Sequence, residues 1–378
     1  MEWFVAGVMA LFMFAITFAP RVYDISLLHN RLALWASGLG LALAFCMPNP
    51  WLAVLLAAGS VNLMLRPQPS QPLKDSHYWM LALAGGYLAV QGQLGHDSVP
   101  LFLWACVAMG FALTVYSYWD VNAGQGNPMH VQALAAIAVA SLIGLALSMP
   151  WLWLLLPVLA WPIWATQRGD ARVTLGPLYL LAILAGVAFL FLGWPVLLVT
   201  GIAGLAVFLW AWPQSPLWSG RKEWWTAGLT FWWTKAAWWQ RLLGFGADAW
   251  IVFSQTYLGE IQKFSKEEVH DGYSYVVMPH AHNDYVQVLF DRGLIGLGCV
   301  LGYLSTSLYA LAGLGGEAWG LFLVGMTLCA VAFGNFPWTG CVIAYLPDQK
   351  RLAGYGCPAL NYISWMLIVL IEVARRGA

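Results

Sequence analysis

The chain has 378 residues and a formal net charge of zero, with 61% hydrophobic residues, 9% charged residues and 24 tryptophans. A soluble domain carries roughly 25% charged residues, so this composition excludes a water-soluble protein and requires an integral membrane one. The balanced charge gives no argument for a nucleic-acid partner.

Apolar runs approaching the roughly 20 residues that cross a bilayer recur along most of the chain. They predict spans at 3–19, 32–47, 50–65, 78–94, 99–118, 131–148, 150–165, 177–193, 195–212, 293–314, 317–335 and 359–374. The expected fold is an all-α polytopic membrane protein of about 12 transmembrane helices with one long external loop. The first span starts at Met1-Glu2-Trp3 without a basic leader and runs into Pro20-Arg21 without a small-residue cleavage site, which reads as an uncleaved helix. Four cysteines, Cys46, Cys106, Cys299 and Cys329, fall within apolar runs, where a thiol acts as a small hydrophobe. Cys341 and Cys357 share one predicted loop and would be able to form a disulfide if that loop faces an oxidising compartment.

Connectors are short except between about 213 and 292, a loop too long to be a mere turn. Its first part, Arg221 to Arg241, repeats Trp224/Trp225, Phe231/Trp232/Trp233 and Trp238/Trp239 every seven residues. That period keeps an aromatic stripe on one side of a helix, with Lys222, Glu223 and Lys235 elsewhere, the signature of a helix at headgroup level. Packing of the same tryptophans on the transmembrane bundle is the alternative, and a helix on the bundle rim would do both. Gly244-Phe245-Gly246 ends the helix, and the mixed charges from Lys263 to Asp271 read as a solvated surface.

The densest chemistry follows, in His280-Ala281-His282-Asn283-Asp284. If 282–297 is helical, Val286, Leu289, Gly293 and Gly296 follow His282 at spacings of three or four. Gly293 and Gly296 would then let a neighbouring helix approach closely and hold the histidine against the bundle. A neutral imidazole, with an ordinary pKa near roughly 6.5, is the natural base for a sugar hydroxyl, and Asn283 or Asp284 would orient the ring. His280, His282 and Asp284 alternate and could converge on zinc from a strand, but three ligands within five residues lack a supporting ligand from elsewhere. No metal and no cofactor is expected. Arg168 and Arg172 lie between the seventh and eighth predicted spans and Arg221 opens the long loop, so all three face the same side as His282. Guanidinium groups grip phosphate oxygens in pairs, and such a group would hold a diphosphate and neutralise it as it leaves.

His282-Asn283, nine residues, and Gly293-x-x-Gly296 resemble the motif of the O-antigen ligase superfamily, which includes O-antigen polymerases and bacterial protein O-oligosaccharyltransferases. Arg221-Lys222-Glu223-Trp224-Trp225 leading to Leu243-Gly244-Phe245-Gly246 is similar to the run that precedes the histidine segment in that family, and Thr166-Gln167-Arg168-Gly169-Asp170 is similar to the stretch that opens its core. The resemblance covers about residues 160–335 and implies a GT-C-like organisation: N-terminal transmembrane helices over 1–165, a ligase-like core over 166–335 with its external loop at 213–292, and a loop plus a last transmembrane helix over 336–378.

The resemblance also implies a metal-independent inverting glycosyltransferase of the bacterial inner membrane, acting at the periplasmic face. Its donor would be a glycan on undecaprenyl diphosphate and its acceptor lipid A-core, a growing glycan or a protein such as a pilin. His282 would be the catalytic base, Arg221 with Arg168 or Arg172 the diphosphate ligands, and His280, Asn283, Asp284, Gly293 and Gly296 supporting residues. The charge pattern opposes that orientation, because Arg21, Arg31, Arg66 and Lys74 would then lie outside, against the positive-inside rule. A polysaccharide flippase or transporter is the rival class; it calls for charged or broken helices at the membrane midplane, whereas here the polar groups collect in the loop.

Overall fold

The computed structural model describes residues 37–64, 94–95, 97–118, 128–169, 175–193, 216–246, 249–250, 281–334, 342–346, 351–355 and 358–376, with a few isolated positions such as 84, 87, 88 and 253. The architecture is helical. In chain order come α1 (Ser37–Cys46), α2 (Pro50–Met64), α3 (Ser98–Ser117), α4 (Pro128–Ala146), a 3-10 turn at Pro150–Leu155 running into α5 (Leu156–Gly169), and α6 (Leu175–Leu192). Then follow α7 (Pro216–Lys235), α8 (Trp238–Leu243), α9 (Asp284–Leu314), α10 (Ala318–Val331) and α11 (Pro358–Arg376). Between α10 and α11 lies one antiparallel hairpin, β1 (Val342–Leu346) with β2 (Arg351–Tyr355), in which Val342 pairs with Tyr355 and Leu346 with Arg351.

Four of the described helical stretches are long and apolar enough to cross a membrane, Ser98–Val115, Met129–Ala146, Leu175–Leu192 and Asp284–Leu314, and α1, α2, α5 and α10 are shorter apolar helices. These helices fit a lipid bilayer environment, as do exposed apolar side chains such as Phe45, Leu154, Phe191 and Leu192. The predicted spans 3–19 and 195–212 lie wholly or mainly outside the described residues, as do Cys341 and Cys357.

The chain divides into two compact units, each assembled from two separate segments: residues 1–92 with 220–303, and residues 93–219 with 304–378. In the second unit the Met129–Ala146 window is wholly buried and the other helices pack around it. Small side chains permit this. A Cβ on Gly110 would meet Ala138 at 2.5 Å, and one on Gly144 would run into the backbone of Gly320 on α10. Pro162 inside α5 has no N–H to offer Val158, and the Val158 carbonyl instead accepts the Thr114 hydroxyl of α3 at 3.0 Å.

The first unit is built around aromatic rings. Phe290 and Trp250 are fully buried with centroids 5.1 Å apart, and Phe245 lies 5.1 Å from Phe290 and 5.0 Å from Phe253. Within this unit the expected single helix over 221–241 is two. α7 ends at Lys235, and α8 starts after Ala237, whose N–H donates to the Gln240 side chain at 2.9 Å. Trp225 and Trp232 are buried, while Trp233 and Trp238 are exposed at 63% and 75%.

Candidate functional site

The loop of residues 242–246 and the start of α9 are locked together by two glycines. Gly293 (φ 66°, ψ −166°) breaks α9, and Gly244 (φ 82°, ψ 179°) terminates α8; both occupy backbone space that is essentially restricted to glycine. A Cβ on Gly244 would strike the Asp291–Arg292 peptide, and one on Gly293 would strike the Leu242 carbonyl and sit 2.5 Å from the Gly244 nitrogen. The two backbones therefore touch face to face. The break frees carbonyls at the end of the first helical piece, and the glycine loop satisfies them: Phe245 N–H donates to Phe290 O at 3.0 Å and Gly246 N–H to Asp291 O at 3.2 Å. Asn62 on α2 completes the junction, its amide donating to Leu243 O at 2.6 Å and to Asp291 O at 2.5 Å.

This geometry corrects the expected continuous helix over 282–297. The helix begins at Asp284 and is interrupted at Gly293, so no uninterrupted stripe links His282 to Gly296. Gly293 serves as the break and as the seat for residues 242–244, not as a contact point between two regular helices. Gly296 makes room for the Arg292 side chain of its own element.

His282 sits just before the helix, half-buried, with φ 51°, the one non-glycine residue among those described with positive φ. That conformation is uncommon for a side chain larger than glycine and costs about 1 kcal/mol or more, so its neighbours must hold it. Its ring lies 6.4 Å from that of Trp224, tilted by 37°. Trp225, next along α7, is buried and its indole N–H donates to the Ala281 carbonyl. Asn283 is buried and caps the helix, its side-chain oxygen accepting Val286 N–H at 3.2 Å. Asp284 is fully buried as the first residue of α9, where a carboxylate complements the helix dipole.

Arg221 lies on α7 one turn before Trp225, in the same unit as His282. Arg168 lies near the end of α5 in the other unit. Arg172 and His280 fall outside the described residues. Among the described residues no group of three histidine, cysteine or acidic side chains is arranged to hold a metal ion.

Asn62, Gln287 and Asp291 are buried polar residues of the first unit to which the sequence alone assigns no role. Gln287 and Asp291 carried a legible sign, an amide and a carboxylate four apart on a helix whose neighbours Val288, Leu289 and Phe290 are apolar. Asn62 carried one too, as an amide inside an apolar run. No protein-family model matches this chain, and no curated protein matches it.

Proposed function

We propose that this chain is a membrane glycosyltransferase that moves a glycan from undecaprenyl diphosphate to an acceptor hydroxyl, with O-antigen ligation to lipid A-core as its leading form. The observation that carries the reading is His282, held in a left-handed conformation against Trp224 on the helix that also bears Arg221. A half-exposed histidine held at positive φ just before a helix is a backbone conformation of the kind that concentrates at working sites. The motif spacing and its resemblance to the O-antigen ligase superfamily supply the substrate class.

In the proposed reaction, His282 accepts the proton of the acceptor hydroxyl. The oxygen attacks the anomeric carbon of the glycan as the bond to the diphosphate oxygen breaks on the opposite face, which inverts the configuration. Undecaprenyl diphosphate leaves with the bonding electrons, and Arg221, aided by Arg168 or Arg172, neutralises the charge it gains. The step needs no metal. The proposed setting is the bacterial inner membrane with the site at the periplasmic face.

A polymerase extending the glycan, or an oligosaccharyltransferase acting on a pilin-like protein, uses the same donor and the same chemistry. Reconstitution of the purified chain with a lipid-linked glycan and each acceptor in turn separates the three. Product on lipid A-core supports ligation, product on the glycan or protein redirects the assignment, and no product with any acceptor refutes the glycosyltransferase reading.

A further inference from the structure

We propose that Gln287 and Asp291, with Trp225, are positioning residues for His282, acting through Ala281: Trp225 holds the carbonyl of the peptide that joins Ala281 to His282, and Gln287 holds the N–H of the peptide before it; this rests on the reading of His282 as the proton acceptor. The φ angle of His282 is fixed by the orientation of the peptide plane that joins it to Ala281. The Ala281 carbonyl lies in that plane and accepts the Trp225 indole N–H. The Ala281 N–H donates to Gln287 Oε1 at 2.8 Å, the Gln287 Nε2 donates to Asp291 Oδ2 at 2.7 Å, and Asp291 Oδ1 accepts the Trp250 backbone N–H at 2.8 Å. On the other side of His282, the Asn283 carbonyl accepts Gln287 N–H at 3.0 Å and its side chain caps Val286. Both neighbours of His282 are therefore tied down, and one residue, Gln287, holds both.

The direction of every bond in this relay is forced. Ala281 N–H can only donate, so the Gln287 amide must present its oxygen to Ala281 and its nitrogen to Asp291, and Asp291 must accept from both sides. Gln287 is 6% exposed and Asp291 2%, so water does not substitute for a lost partner. The relay ends at Asp291, whose own carbonyl accepts from Asn62 and from the Gly246 N–H, so it ties the backbone beside His282 to the glycine junction of residues 242–246.

Polarity makes the idea testable by exchange. Gln287→Glu alone replaces the amide donor with a second acid, so the pair can stay bonded only by taking up a shared proton, and Asp291→Asn alone leaves one donor facing another donor. The double variant Gln287→Glu/Asp291→Asn restores these three bonds: the introduced carboxylate accepts from Ala281 and from the introduced amide, whose oxygen accepts from Trp250. The size and the summed charge are unchanged.

Two readouts on the full-length protein follow the imidazole. The first is the rate at which diethyl pyrocarbonate modifies His282, resolved by peptide mass spectrometry; each single variant should change it about fivefold, the equivalent of one net hydrogen bond, and the double variant should return it to the wild-type rate. The second is glycan transfer, where each single variant should lower kcat about tenfold or more with donor KM nearly unchanged, and the double variant should recover it. Should the double variant fail to fold, Gln287→Met, which removes both side-chain bonds at similar volume, must alter the modification rate. Unchanged His282 reactivity in the single variants, or a folded double variant no better than they are, overturns the proposal; so does restored reactivity beside unaltered transfer kinetics in the single variants. A wild-type protein without transfer activity refutes the glycosyltransferase reading instead, because the reagent reads the relay without any substrate.

Discussion

Gly293→Ala is the sharpest test of how the site is framed. At φ 66° and ψ −166° an alanine pays a conformational cost of about 1–3 kcal/mol. Its Cβ would also strike the Leu242 carbonyl and the Gly244 nitrogen, which are backbone atoms and cannot swing aside. Overpacking of that kind adds about 1–3 kcal/mol, for a total of about 2–6 kcal/mol. Gly298→Ala, five residues further along the same element, is the matched control: nothing lies within 4 Å of its new Cβ, and alanine is favoured over glycine in a helix by about 0.5–1 kcal/mol. Thermal scans of both variants at one scan rate in the same detergent should show the apparent Tm of Gly293→Ala falling by on the order of 5–10 °C, with Gly298→Ala at or slightly above wild type. Equal shifts in the two variants, or a Gly293→Ala protein as stable as wild type, would refute the reasoning that the break in α9 is a glycine-only junction.

Asn62→Ala should lower the apparent Tm, because the part-buried Leu243 carbonyl and the buried Asp291 carbonyl each lose an amide hydrogen bond, a net loss of about 0.5–1.5 kcal/mol for each. Asn62→Asp should be worse, since a carboxylate would face two carbonyl oxygens; a melting curve ranks the pair, and the opposite order contradicts the hydrogen-bond assignment. Arg221→Lys should impair transfer although the charge is kept, because the planar fork that matches a diphosphate is lost, and unaltered kinetics would remove Arg221 from the donor site. Transfer should persist in excess chelator, and its loss there would restore the zinc reading of His280, His282 and Asp284.

Much of the helical architecture was legible in the sequence because a membrane helix must satisfy its backbone internally and be apolar along its length, so runs such as 131–148 and 177–193 mark themselves. The His282 segment was legible for the opposite reason, as polar groups crowded beside an apolar run. The break at Gly293 was not. Two glycines three apart suit a helix crossing and a helix break equally well, and only the arrival of Gly244 from fifty residues away selects the break. The roles of Gln287, Asp291 and Asn62 were hidden for the same reason, since their partners Ala281, Trp250 and Leu243 are mostly backbone groups, which leave no trace in side-chain identity. The hairpin of β1 and β2 falls where the sequence predicts a loop, although Val342-Ile343-Ala344-Tyr345-Leu346 followed by Pro347-Asp348 carries β-branched and turn residues in the right order.

If His282 keeps its unfavourable backbone conformation for chemistry and not for stability, as proposed, His282→Gly measures this most directly. Glycine accepts φ 51° freely, so the variant should melt at or above the wild-type temperature while glycan transfer from undecaprenyl diphosphate falls by about a hundredfold or more. A variant that transfers glycan within about tenfold of wild type, below the smallest effect expected for loss of a general base, would contradict the account.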